Sequence, residues 1–227
     1  MEPNSAFHII QLSDIHGADF LINEIGELLS EADLIILSGD VTHFGKKEQA
    51  EKTINLIRKF NNKILAIHGN CDFPEVNDYF NDQDIGLHNQ VRSYERFSLC
   101  GLGGSLPCPG TTPSEYRDET AAKWLNDILK SIDSKEPLLF VCHQPPLNTK
   151  TDKLEDNSHV GSWSVRQFIE KTKPLICLTG HIHEAISIDY IGKCPIVNPG
   201  PFRTGKFADI FIDGENQVRV ELNQITF

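Results

Sequence analysis

The stretch LIILSGD, Leu34 to Asp40, decides the fold, because an unbroken apolar run stops at a glycine and a carboxylate. A short continuous apolar run bounded by turn residues reads as a strand buried on both faces. The same grammar recurs in FHIIQLSDIH (7–16), ILAIHGN (64–70), LLFVCH (138–143) and LICLTGHIH (175–183). Each of these runs ends in Asp, Asn or His. In open α/β sheets ligands gather beyond the carboxyl ends of strands, so the side chains at these five ends meet in one crevice if the strands are neighbours.

Amphipathic segments separate the first three runs. Leu21, Ile25, Leu28 and Leu29 share one helical face, as do Ala50, Ile54 and Ile57, which gives a βαβαβ opening. After a polar middle, Thr112-Pro113-Ser114-Glu115 has the form of a capping box with Pro at the first helical position. It predicts a helix with Ala121, Leu125, Ile128, Leu129 and Ile132 on one face. LLFVC follows as a strand, a helix around Val165, Phe168 and Ile169 leads into LICLT, and SIDYI, CPIVN, FADIFI and VRVEL read as consecutive short strands. Two sheets packed face to face are therefore expected, one mixed with helices and one built from the C-terminal strands. With 227 residues, 39% of them hydrophobic, and no internal repeat or linker, the chain reads as a single domain, 1–227.

A formal charge of −11 argues against holding long nucleic acid, which needs clustered Lys and Arg to neutralise phosphates. Small anions stay compatible with it, since a local metal site attracts phosphate whatever the remaining surface does. The six cysteines form no CxxC pair, and the apolar run Phe7 to Leu12 is too short for a signal peptide or a membrane span. The expectation is a cytoplasmic protein with no membrane partner. The sequence assigns no oligomeric state.

Taken singly, Gly-Asp and Gly-Asn at strand ends are ordinary turn chemistry, and a lone His16 or His143 is more often a hydrogen-bonded structural residue. The joint pattern reads differently. Asp14 with His16, and His181 with His183, are spaced i, i+2, which places both members of a pair on one side of an extended segment. Seven N and O donors (Asp14, His16, Asp40, Asn70, His143, His181 and His183) suit Mn, Fe, Zn, Ni or Co, while two carboxylates are too few for a calcium cage. Seven are too many for one tetrahedral ion, so two ions are implied, with a carboxylate as the natural bridge.

Asp14-Ile15-His16, Gly39-Asp40, Gly69-Asn70-Cys71, His143 and Gly180-His181-Ile182-His183 resemble, in order, the motifs D-x-H, G-D, G-N-H, an isolated His and G-H-x-H of the calcineurin-like metallophosphoesterases. GLGGSLPCPGTTPSEY, and HQPPLNTKTD through HVGSWSVRQFIE to NPGP, are similar to the prokaryotic branch, here with Gly-Asn-Cys-Asp in the third motif. The resemblance implies a four-layer α/β/β/α sandwich of two packed mixed sheets with flanking helices. It implies one divalent ion on Asp14, His16 and His183, a second on Asn70, His143 and His181, and Asp40 between them, with Mn foremost and Fe, Ni, Zn, Co or Mg as alternatives. The implied activity is hydrolysis of phosphodiesters or small phosphomonoesters by a metal-bridging hydroxide. There is no G-x-x-x-x-G-K-[ST] loop, and Gly101 to Ser105 reads as a tight backbone passage past the site.

The departure is Cys71, where most of the family has a histidine that stabilises the transition state or protonates the leaving oxygen. A thiol with an ordinary pKa of about 8.5 is a weak hydrogen-bond donor without charge, so Cys71 is expected to be a poor substitute, or inert. His159, in the loop after His143, is then the first candidate proton donor and His43 the second, each against the plainer reading of a surface or supporting histidine. Lys150, Lys153 and Arg203 are candidates to meet the rest of the substrate. The alternative function is a metal-binding interaction scaffold of the same fold, which would keep the ligands and lose turnover.

Overall fold

The computed structural model describes residues 6–132 and 135–226. Residues 1–5, 133–134 and 227 of the expected 1–227 domain lie outside the described ones. In chain order the elements are β1 (Phe7–Leu12), α1 (Gly26–Glu31), β2 (Leu34–Ser38), α2 (Lys47–Ile57), β3 (Ile64–Ile67), α3 (Pro74–Asp82), β4 (Val91–Tyr94), β5 (Phe97–Leu102), α4 (Asp118–Ser131) and β6 (Leu138–Cys142). Then come α5 (Trp163–Thr172), β7 (Ile176–Leu178), β8 (Ser187–Ile191), β9 (Cys194–Asn198), β10 (Lys206–Ile212) and β11 (Val218–Gln224).

One sheet has the order β11-β10-β1-β2-β3, the other β4-β5-β6-β7-β9-β8. β1, β2 and β3 run parallel, as do β5, β6, β7 and β9, and antiparallel strands complete each sheet. The unbroken apolar runs follow from burial on both faces. Along β1 and β2, Ile10, Leu12, Ile35 and Leu37 face Ile54, Ile57 and Phe80 of the helical layer. Their alternates Ile9, Leu34 and Ile36 face Leu99, Leu139, Val141 and Leu178 of the other sheet. On its far side that second sheet packs Cys100, Phe140, Cys142 and Cys177 against Leu125, Ile128, Val165 and Phe168 of α4 and α5. The result is the α/β/β/α sandwich of two mixed sheets.

The sheets are composed differently from the expectation. β8 and β9 join the second sheet, whereas β10 returns to pair antiparallel with β1, Phe7 opposite Ile212 and Gln11 opposite Ala208. All but two residues of β10 are buried, so it needs a strand on each side, while the alternating β11 serves as an edge. The polar middle also holds elements that its composition hides: α3, opened by Pro74 at its first turn with Val76, Tyr79 and Phe80 buried, and the β4–β5 hairpin. Helix α4 begins at Asp118 rather than at Pro113. The amide and hydroxyl of Thr112 do both donate to Glu115 Oε1 (2.8 Å each). The Ser114 amide, however, goes to the Asn70 carbonyl and the Tyr116 amide to that of Ser105, so this backbone serves a loop beside the site. Among the described residues no helix is long and apolar enough to cross a membrane.

Candidate metal centre

Five parallel strands, β1, β2 and β3 of one sheet with β6 and β7 of the other, deliver their C-terminal ends to one place. Beyond β1 and β2 the two backbones stay paired, the Asp14 amide on the Gly39 carbonyl (3.0 Å) and the His16 amide on the Asp40 carbonyl (2.9 Å). The segments are not extended there. Asp14, His16, Asp40 and His181 all take left-handed φ values, 53°, 46°, 49° and 71°. The i, i+2 pairs therefore converge through tight turns rather than by strand alternation. Such backbone is uncommon outside glycine and concentrates where a site dictates geometry. Two motif glycines are explained by close approach. A Cβ on Gly39 would run into the His143 ring, and one on Gly180 into Ser13 Oγ and Asp14.

The side chains close on one another. His183 Nε2 lies 3.2 Å from Asp14 Oδ1 and 3.3 Å from His16 Nε2. Asp40 Oδ2 lies 3.6 Å from His16 Nε2 and 3.6 Å from His143 Nε2, between two groups of donors. His143 Nε2 is 3.0 Å from Asn70 Oδ1, and its ring is 5.1 Å from that of His181 between centroids. Asp14, His16 and His183 can each point a ligand atom to within 4.8 Å of the others, and so can Asp14, Asp40 and His143. His16, Asp40 and Cys71 form a third such group. Supporting contacts fix orientation. Ser13 Oγ donates to Asp14 Oδ2 (2.6 Å), the Cys71 amide donates to Asp40 Oδ1 (2.8 Å), and His143 Nδ1 sits 2.9 Å from the Ser38 carbonyl.

Charge is out of balance here in a telling way. Burial alone would raise Asp14 and Asp40, but the surrounding histidines override it and hold both carboxyls below their ordinary range. Burial lowers His16, and burial with the neighbouring His143 pushes His181 down to about 4. His143 goes the other way: despite burial, Asp40 and Asp14 draw its pKa up to about 9. Two buried carboxylates thus pull positive charge onto the nearest imidazole, the demand that divalent cations satisfy when nitrogen and oxygen donors are arranged for them. The donor set fits divalent cations of that kind. Burial, then Asp40, pushes the Cys71 thiol far up, so it stays protonated.

The structure brings all seven predicted donors and Cys71 together. It does not bring His159. That residue is in the loop before α5 with Nδ1 2.8 Å from the buried Asp152, and among the described residues no hydrogen bond or ring contact joins it to the cluster. His43 does touch the cluster, its exposed ring edge-on to His16 at 5.5 Å. Arg203 also reaches it, its guanidinium 3.2 Å from His183 Nδ1, whereas the Lys150 amide binds Asp189. Three neighbours escaped the sequence reading. Cys108 Sγ stands 3.6 Å from His181 Nε2, and Thr112 Oγ1 accepts from Asn70 Nδ2 (3.1 Å). The buried Asp72 accepts from the amides of Val41, Thr42 and Gly69 and from the Thr42 hydroxyl, tying the loop after β2 to the loop after β3. Only Asp72 carried a signal, as the acidic residue closing Gly-Asn-Cys-Asp.

Residues 7–185 match the sequence profile described as calcineurin-like phosphoesterase. An uncharacterized protein of Methanocaldococcus jannaschii is 37% identical over 198 residues, covering 85% of this chain and 88% of that one. A protein of Arcobacter nitrofigilis named "Probable glycerophosphodiester phosphodiesterase" is 26% identical over 176 residues, and the match covers 75% of this chain and 64% of that longer one. Among solved structures, a Thermus thermophilus protein superposes with a TM-score of 0.76 at 17% identity, over 98% of this chain and 100% of that one. At that identity the superposition speaks to the fold alone.

Proposed function

This chain belongs to the calcineurin-like phosphoesterase family, and on that premise we propose that it is a binuclear metal-dependent phosphoesterase acting on phosphodiesters or small phosphomonoesters. The observation that carries the proposal is the position of Asp40, one oxygen of which lies 3.6 Å from a histidine of each donor group. When bound, two divalent ions would supply Lewis acidity and an activated water. Asp14, His16 and His183 would hold one, Asn70, His143 and His181 the other, and Asp40 would bridge. The Asn70 amide oxygen is a neutral hard donor, which completes a set without cancelling more cationic charge. Manganese is the first choice for such donors, with Fe, Ni, Zn, Co or Mg as alternatives.

The chain's own residues prepare the reaction. The Cys71 amide and the Asp72 carboxylate hold the two ligand loops at a fixed spacing, and strained backbone aims Asp14, His16, Asp40 and His181 inward before any substrate arrives. Cys71, protonated and buried, takes no part in proton transfer. Of the two candidate proton donors, ring contact with His16 favours His43 over His159. The name of the Arcobacter nitrofigilis relative favours catalysis over the scaffold alternative. Six free cysteines suit a reducing cytoplasm, and one continuous sandwich supports a single domain.

The test is metal removal. Dialysis against a strong chelator should abolish hydrolysis of an activated aryl phosphodiester, and Mn should restore it with two ions per chain by elemental analysis. Undiminished turnover after verified metal removal would refute the proposal.

A further inference from the structure

Phe44 stands where a phenylalanine rarely does. Its φ is +52°, a region that bulky side chains avoid, and the residue is 49% exposed. The loop that carries it is anchored at several points. The Thr42 amide and hydroxyl both donate to Asp72 Oδ1 (2.7 Å each), the Gly45 amide donates to Thr42 Oγ1 (3.1 Å), and the Phe73 amide to the Gly45 carbonyl (3.2 Å). The same Asp72 holds the Gly69 amide, so this loop and the Asn70 loop are set by one carboxylate. A strained residue that an over-determined loop keeps in place is a mark of ligand clamps.

From Phe44 a series of rings leads inward. Phe44 meets His43 edge-on at 5.0 Å, His43 meets His16 at 5.5 Å, and His16 meets His183 at 5.2 Å. His16 and His183 belong to the donor cluster, and His43 and Phe44 are exposed. Of the nine histidines, four are cluster donors, His8 and His159 pair with Asp209 and Asp152, and His68 and His88 pack on each other. That leaves His43 as the imidazole that adjoins the cluster and also faces solvent.

Resting on the phosphoesterase reading, we propose that His43 and Phe44 form a leaving-group subsite selecting phosphoesters that carry a planar ring, aryl or nucleobase, on the ester oxygen. An ester whose phosphoryl group sits at the cluster must send its substituent outward, and on the His16 side the wall it meets is made of rings. Flat π-systems gain from stacked or edge-on contact with such a wall, whatever their hydrogen-bonding pattern, while an acyclic polyol gains nothing comparable. His43 lies nearer the ester oxygen and Phe44 one ring farther out.

The experiment measures binding, so it does not depend on turnover. The Mn-loaded protein is titrated calorimetrically with phenyl phosphate, adenosine 5′-monophosphate and glycerol 3-phosphate, each as its methylene-phosphonate analogue so that no ester bond can be hydrolysed, as wild type, Phe44→Ala and Phe44→Trp. A ring-bearing ester should bind about tenfold tighter than glycerol 3-phosphate, the preference should vanish in Phe44→Ala, and Phe44→Trp should restore it. Preference for phenyl phosphate alone identifies a ring directly on the ester oxygen, and preference for the nucleotide alone a ring beyond a sugar. Elemental analysis and thermal midpoints verify metal content and fold in each variant. Equal affinity for all three esters in the wild type, or a preference that survives Phe44→Ala, overturns the subsite and leaves the metal centre standing. Failure of every phosphate ester to bind the loaded protein overturns the phosphoesterase reading, and the subsite with it.

Discussion

Loading the site with metal should release a proton, and the structure says from where. His143 is fully buried between Asp40 and Asn70, and the carboxylates raise its pKa from an ordinary 6.5 to about 9. A metal ligand must be the neutral imidazole, so an ion that takes His143 displaces its proton. At pH 7 only roughly 1% of metal-free molecules carry His143 neutral, so loading releases about one proton per chain from this residue. His181, down at about 4, and His16, also lowered, are already neutral and contribute none. Apparent affinity should therefore rise about tenfold per pH unit from 7 towards 9 and level off above it. The stability of the metal-free protein runs the opposite way. A histidine raised on folding contributes fully below 6.5, and that contribution fades as pH passes through about 9.

The assay is isothermal titration of Mn into metal-free protein in two buffers of different ionisation enthalpy. The dependence of observed heat on buffer enthalpy counts the protons. The expected result is a His143 contribution of about one proton at pH 7 that falls away above pH 9, opposite in trend to any proton lost by an activated water, with that contribution and one ion lost in His143→Ala. No release at pH 7 would show that His143 is not the displaced cation.

Asp40→Ala should damage turnover more than Asn70→Ala at saturating metal, because Asp40 adjoins both donor groups; comparable losses in folded variants would argue against a bridge. Cys71→Ala should cost little, while Cys71→His should raise activity on unactivated alkyl esters by up to on the order of 10², relative to nitrophenyl esters that need no proton donor. Abolished turnover in Cys71→Ala with fold and metal intact would give the thiol a chemical role after all. Asp72→Asn should lower stability by about 2 kcal/mol, since an amide N–H would then face backbone donors, and should weaken metal binding with it; an unchanged denaturation midpoint would show that the Asp72 staple is dispensable.

The site was legible in the sequence because its residues are chemically unusual at strand ends. Histidine is not turn chemistry, so His16, His143, His181 and His183 stood out and drew Asp40 and Asn70 with them. What stayed hidden was whatever depends on where loops return in space. Nothing in Thr112 to Glu115 distinguishes a capping box that opens a helix from one that closes a loop, and only the Asn70 and Ser105 carbonyls, remote in sequence, decide it. FADIFI likewise reads as one more strand of a C-terminal run, although its need for cover on both sides sends it back to β1. Nearness in sequence to His143 points to His159, whereas the structure pairs that histidine with Asp152 and sets His43 against the cluster.

Why the centre lies where the two sheets meet follows from what it costs to build. Four donors in left-handed backbone cost on the order of 1–3 kcal/mol each, and two carboxylates are almost wholly buried. No loop on its own could sustain that. The strain is tolerated because every donor follows a strand locked into the sandwich, the first two loops continue the β1–β2 pairing past the sheet, and Asp72 and the Ser38 carbonyl tie the loops to each other and His143 to β2. A ligand that binds only the folded state adds about 2.7 kcal/mol of stability at a hundred times its dissociation constant, so metal loading offsets about one or two of those strained positions. Metal-free protein should therefore open first at the loops after β1, β2 and β7 while the stacked apolar layers persist. Hydrogen exchange with and without Mn reads this directly: protection gained at the Asp14, His16 and Asp40 amides, with little change in β2 and β6, is the expected pattern, and uniform protection across the chain would mean that the strain is not local.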